Sequence, residues 1–282
     1  MDSDENQREK LTTEDERAVK EQELLDAKFD ELMMDSGGCG RFQRVMLISM
    51  FFCLNSSNFY LYNMSYLELV PSEYICTYQD GMIGSCVPDE FCGNTSVVSY
   101  TPDYSVEHTY HNWVEKWGLE CRSDAQVGLL GSVTFIGWVI TLIFVPMMSD
   151  IYGRKWIFSL NMLAQSIGWT IIMFTSNFWA AIFALFINGL CSTTRVQIGI
   201  LYMMEFFPIK DIPLGGTLYF VMEIVCALFG VLYFSYLSVN SQGYLAIGYT
   251  MQIIGSIIAF FIPESPKYLF KKGLLEETSK VL

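Results

Sequence analysis

Charge is scarce along this chain: Asp, Glu, Lys and Arg make up 17% of its 282 residues, against about 25% in a soluble domain. Basic residues are the scarcer kind, 17 Lys and Arg against 30 Asp and Glu. No basic patch forms, which excludes a nucleic-acid partner. Histidine is nearly absent: His108 and His111 are the only two. No His or Cys pair has zinc-ligand spacing, there is no phosphate-binding loop, and no nucleophile stands with a base and an orienting group. The chain is therefore read as no enzyme, with no cofactor and no metal. The first 40 residues contain no apolar core behind a basic start, so a cleavable signal peptide is not expected. An acidic disordered chain is excluded too, because 15% of the residues are aromatic.

What the chain has instead is long apolar runs. Hydrophobic residues make up 52%, and six blocks reach the roughly 20 residues that a membrane helix needs. They run over 45–66, 127–148, 156–175, 178–206, 214–237 and 244–262. Residues 1–44 read as an acidic tail that becomes an amphipathic helix from about Glu21, with Leu24, Leu25, Phe29, Leu32 and Met33 on its apolar side. That helix is expected to lie along the inner membrane surface and to break at Gly37-Gly38. The expected fold is an all-α membrane protein, a bundle of six transmembrane helices.

Cations near the span ends set the orientation. Arg41, Arg44, Arg154, Lys155, Lys210, Lys267, Lys271 and Lys272 all fall on one side if both termini are cytoplasmic. The large loop 67–126 then lies outside, with only Lys116 and Arg122 against ten acidic residues. It holds Cys76, Cys86, Cys92 and Cys121, which on the outer side of a membrane point to two disulfides. Three pairings are possible. Asn94-Thr95-Ser96 in the same loop is a glycosylation acceptor. Asn63 lies too near the membrane to serve as one, and Asn55 lies within it.

Polar groups inside spans tend to face a bundle interior or a water-filled path. Asn188, Ser192, Arg195, Gly199 and Tyr202 recur at steps of four and three, one stripe of the fourth span. Tyr219 and Glu223 lie on the fifth. Arg195 and Glu223 have similar depths, so they are expected to pair, as a structural lock or in a substrate or proton role. Asn55, Asn58, Phe59 and Tyr62 on the first span suit a cavity wall for an amphipathic organic solute. Asn161, Gln165 and Gln252 read as interhelical glue.

Residues 149–155 join the second and third spans through a tight turn. Gly153 gives the turn its freedom, Arg154 and Lys155 hold it inside, and Asp150 can pair with Arg154 or cap the next helix. Asp150, Gly153, Arg154 and Lys155 resemble the D-x-x-G-R-K/R loop of the major facilitator superfamily, with Pro146 where that family usually has Gly. Phe29-Asp30-Glu31-Leu32, Gly40-Arg41-Phe42-Gln43, the Cys-bearing loop with its ending Glu115-Lys116-Trp117-Gly118-Leu119-Glu120-Cys121, Glu205 with Pro208, and Pro263-Glu264-Ser265-Pro266-Lys267-Tyr268-Leu269 are similar to its organic-ion carriers. The resemblance implies a gating latch at Asp150, Gly153, Arg154 and Lys155. It also implies the N-terminal half of a twelve-span fold, whose substrate site lies between two six-span halves. The second half is then supplied by a longer chain or a second subunit. The implied partners are membrane lipid and a small organic ion or zwitterion, at the plasma membrane. Arg195 with Gly199 is loosely similar to a motif of proton-linked exporters, so a sugar-type or proton-coupled carrier is the alternative. A transport-inactive protein that binds a partner through its outer loop is another.

Overall fold

The first apolar block is interrupted where Asn and Ser crowd together. The computed structural model describes residues 24–35, 40–93 and 96–281. Residues 24–35 form helix α1. Arg41–Asn55 forms α2, followed by two four-residue helices, α3 (Asn58–Leu61) and α4 (Met64–Leu67). The continuous span expected over 45–66 is therefore corrected to a broken one. The cause is local competition for backbone groups. Asn55 turns its amide back to the Phe51 carbonyl at 3.2 Å, and Asn58 donates to Asn55 Oδ1 at 3.0 Å. Among the described residues, five helical stretches rather than six are long and apolar enough to cross a membrane.

The outer loop also departs from the all-α expectation. Tyr74–Tyr78 (β1), Ile83–Cys86 (β2) and Val97–Pro102 (β3) form an antiparallel sheet in the order β2-β1-β3. The short helix α5 (Pro88–Phe91) precedes β3, and α6 (Trp113–Trp117) follows it. Cys76 is bonded to Cys86 across β1 and β2, and Cys92 to Cys121. Tyr74, Cys76, Cys86 and Phe91 make a small core beneath the sheet. Asn94 lies outside the described residues, as do Gly37 and Gly38.

The loop is seated on the bundle by α6. Lys116 Nζ donates to the carbonyls of Ile172 and Met173 at 2.8 Å each, and Trp117 Nε1 to that of Thr175 at 3.1 Å. These carbonyls end α8 (Arg154–Phe174), where a cation is favoured by the helix dipole. Lys116 and Trp117, part of the motif that closes the loop, thus cap a membrane helix.

The remaining spans follow in order. α7 (Asp124–Tyr152) precedes α8, and α9 (Phe178–Thr193) continues through a π-turn at Thr194–Ile198 into α10 (Gly199–Met204). α11 (Ile212–Leu232) also ends in a π-turn, Tyr233–Leu237, and α12 (Ser241–Phe261) is followed by the short α13 (Pro266–Lys271) and α14 (Leu275–Val281). α7 crosses α9 at Gly137 and Gly189, where a Cβ on Gly137 would lie 2.7 Å from the Phe186 carbonyl oxygen. Small residues permit such close approach between membrane helices. α9–α10 is the most enclosed of the long helices, while α7 and α11 are the least and present apolar rows such as Val139, Ile143 and Met147, and Val221, Ile224 and Leu228.

α1 does not present its apolar side to lipid, as the sequence led us to expect. Phe29 and Met33 are buried against the protein, Phe29 meets Phe270 at a ring distance of 5.5 Å, and Asp26 pairs with Lys267 at 3.0 Å. The Ile209 N–H donates to Asp30 Oδ1 at 2.7 Å. The end of the bundle offers both an apolar seat and charge partners, so burial there replaces burial in lipid.

Candidate functional site

Two polar constellations sit at different depths of the bundle. The first is at the Gly153 end. α7 runs to Tyr152 and α8 begins at Arg154, so the turn is Gly153 alone. Its φ of 93° and ψ of 160° suit glycine only. A Cβ there would also lie 2.6 Å from Glu264 Oε2. Glu264 Oε1 accepts the N–H groups of Arg154 at 2.9 Å and Lys155 at 3.1 Å. The carboxylate thus caps α8 from the segment after α12 and complements the positive helix end. The sequence reading allowed that cap to Asp150; Glu264 fills it instead.

Arg154 is buried and binds Glu205 through Nε at 2.8 Å, with Asp150 a longer contact at 3.4 Å. Ser265 Oγ donates to Glu205 at 2.5 Å, and the Tyr268 hydroxyl to the Ile151 carbonyl at 3.1 Å. Lys155 stacks over Trp156 at 5.8 Å. The turn and the Pro263–Leu269 segment were legible as separate motifs; their union through Glu264 and Glu205 was not.

The second constellation lies where the broken first span meets the π-turn. Arg195 is 2% exposed, and its Nη1 donates to the Leu54 carbonyl and, at 3.2 Å, to Asn58 Oδ1. π-turns often mark functional positions. Here one turns a guanidinium toward the end of α2. The expected Arg195–Glu223 pair is absent. Glu223 instead accepts from the Tyr62 hydroxyl at 2.5 Å. The broken span touches both the π-turn and α11, so its own side chains take the two charges separately.

The predicted stripes therefore divide. Asn55, Asn58, Tyr62, Arg195, Tyr219 and Glu223 gather around the break, and Asn55 and Tyr219 line one apolar groove between α2 and α11. Asn188 and Ser192 are buried and bond to their own helix, at the carbonyls of Ala184 and Asn188. Phe59 packs on Tyr244 at 5.2 Å, and the Tyr202 hydroxyl holds the Pro263 carbonyl. Gln165 donates to Ser57 Oγ at 2.6 Å, and Gln252 accepts from Ser56 Oγ at 2.5 Å. These two glutamines hold the interrupted segment to α8 and α12.

One residue went unmarked in the sequence. Glu68, just past α4, sets its carboxylate beside Gly131 of α7 with Oε1 unpartnered among the described residues, and burial pushes its carboxyl up to about 7. Its position between two helices is a tertiary fact that no local pattern carries.

The model of the Major Facilitator Superfamily matches residues 90–281. The chain belongs to the major facilitator superfamily. It is 26% identical over 195 residues to organic cation/carnitine transporter 2 of Arabidopsis thaliana, covering 65% of this chain and 34% of that protein. It is 24% identical over 173 residues to solute carrier family 22 member 2 of Rattus norvegicus, covering 60% and 30%. It is 27% identical over 158 residues to a putative sugar transporter of Arabidopsis thaliana, covering 55% and 32%. The chain spans about a third of the length of these relatives. These members of the superfamily are transporters rather than enzymes, and this chain shares their apolar, multi-pass helical character.

Proposed function

We propose that the chain is one half of a carrier that moves small organic ions or zwitterions across the plasma membrane by alternating access. Both termini face the cytoplasm in this reading, and the disulfide-bonded loop, with a glycan on Asn94, faces out. The observation that carries it is the Tyr62–Glu223 pair, a carboxylate and a phenol at the break of the first span on a partly open face. Discontinuous membrane helices form substrate sites because their free ends present polar backbone groups. Asn55, Asn58, Arg195 and Tyr219 complete the path. A second six-span half, from a longer chain or another subunit, covers the apolar rows of α7 and α11. Asp150, Gly153, Arg154 and Lys155 serve as the latch, held by Glu264 and Glu205.

The similarity to a putative sugar transporter supports a second reading, a sugar-type carrier. Uptake of a labelled organic cation, carnitine and a hexose separates the two, measured in cells that produce the chain with a six-span second half taken from a relative. Saturable uptake of the cation or carnitine is expected, about tenfold lower with Glu223→Gln, the loss of roughly 1.4 kcal/mol of recognition. Hexose uptake alone favours the second reading. Uptake of none of the three by a correctly inserted pair contradicts both.

A further inference from the structure

Among the described residues, a cleft beside the Gly153 turn keeps two lysines that no carboxylate pairs. α13 sets Lys267 and Lys271 one turn apart on one face, with Lys272 next to them, and all three line the cleft with Arg154. Four carboxylates lie near, of which Glu264 is taken by the N–H groups of Arg154, Lys155 and Ser265. Glu205 is taken by Arg154 and Ser265, Asp26 by Lys267, and Asp150 stands at the rim, 69% exposed. Among the described residues, Lys271 and Lys272 form no ion pair, although both are exposed. Arg154, nine-tenths buried, keeps Nη1 shielded from solvent with no acceptor among the described residues. Leaving a guanidinium N–H buried and unbonded is costly, so the cleft is arranged for an acceptor that the described residues do not supply. Tyr268, whose ring lies under Lys272 at 5.6 Å, holds that lysine over it.

We propose that this cleft binds a phosphomonoester, with Arg154 Nη1 donating to a phosphate oxygen and Lys271 and Lys272 supplying charge. A guanidinium suits phosphate by geometry, and ammonium groups bind it as point charges. Tyr152 and Trp156 flank the turn and are largely exposed, the placement of aromatics at a membrane interface. A phosphorylated lipid headgroup in the cytoplasmic leaflet is therefore within reach, as is a soluble phosphate. The bound anion would tie α13 to the turn and so bear on the latch. The leaflet rests on the orientation proposed above; the binding chemistry does not.

The test is binding by the purified chain in detergent. Its probes are vesicles of phosphatidylcholine carrying a few per cent of phosphatidylinositol phosphate, the same vesicles with phosphatidylserine at equal charge, and soluble inositol phosphate. The double variant Lys271→Gln/Lys272→Gln removes two exposed cations and leaves the Arg154–Glu205 pair intact. It is expected to bind the phosphomonoester roughly 30-fold more weakly, about 1 kcal/mol for each lysine. Lys280→Gln, which breaks only the Glu276 pair outside the cleft, is expected to bind as the parent does. Tighter binding to the lipid than to inositol phosphate supports a headgroup, and equal binding supports a soluble source. Phosphatidylserine bound as tightly as the phosphomonoester, or a double variant within about threefold of the parent, overturns the proposal. Because no arm measures uptake, failure of transport would leave the result standing.

Discussion

Gly153→Ala is expected to destabilise the purified chain by about 3 kcal/mol or more. The backbone conformation at Gly153 costs any L side chain roughly 1–3 kcal/mol. The new methyl would also push on Glu264 Oε2, 2.6 Å from its site, and on the Tyr268 ring at 3.3 Å. Glu264 cannot yield without loosening the two N–H groups it accepts from the start of α8. Each hydrogen bond to a charged group is worth about 1.5–3 kcal/mol. The melting midpoint in detergent measures this, with Gly128→Ala as the comparison. Gly128 lies on α7 with nothing within 4 Å of an added methyl, so its replacement should be neutral or stabilise by about 0.5–1 kcal/mol. Equal midpoints for the two variants would mean that the turn is not held by Glu264.

Arg195→Met is expected to lower uptake, counted per folded carrier, by about 100-fold, the scale on which small displacements at a site act. Methionine matches much of the length and none of the hydrogen bonding. The Leu54 carbonyl and Asn58 Oδ1 would lose their donor, each at about 1–3 kcal/mol in a buried place. The break in the first span would then shift, and with it the Tyr62 hydroxyl on Glu223. Arg195→Lys should not restore uptake, because both bonds leave from Nη1 at the tip of the guanidinium, a reach and direction that a strongly hydrated ammonium does not reproduce. A purely structural brace would lower the folded amount and leave uptake per folded carrier unchanged. If uptake and expression both survive Arg195→Met, neither a brace nor a path role stands.

How much of this was legible in the sequence follows from which forces act locally. The helices after residue 124 were readable because lipid demands unbroken apolar runs, and α7, α8, α9 with α10, α11 and α12 fall on the five later runs. The broken first span was not. Hydropathy averages over Asn55, Ser56, Ser57 and Asn58, whereas the break comes from side chains competing for the backbone. Depth along the helices brought Arg195 and Glu223 to notice. It could not reveal that Asn58 and Tyr62 take them separately, because depth fixes height and not azimuth. Arg195 lies within the π-turn at Thr194–Ile198 and bonds to the first span, while Asn188 and Ser192 bond to their own helix. The cap on α8 comes from Glu264, 110 positions from Arg154. Motif resemblance placed the turn and the Pro263–Leu269 segment on the same side without joining them. The sheet in the outer loop was missed because the cysteines drew attention to cross-links and not to the strands they join.

The central claim is that Tyr62 and Glu223 face the substrate path while Asn188 and Ser192 are packing residues. Single cysteines at these four positions test it, in a chain whose Cys39, Cys53, Cys191 and Cys226 are replaced by Ala and whose loop disulfides are kept. The measurement is the rate of labelling by a small water-soluble maleimide on the chain paired with its second half. Tyr62→Cys and Glu223→Cys are predicted to label and to be slowed by a transported organic ion, while Asn188→Cys and Ser192→Cys label only after denaturation. Labelling at Asn188→Cys and Ser192→Cys as fast as at Tyr62→Cys, or no protection by any transported solute, would contradict the account.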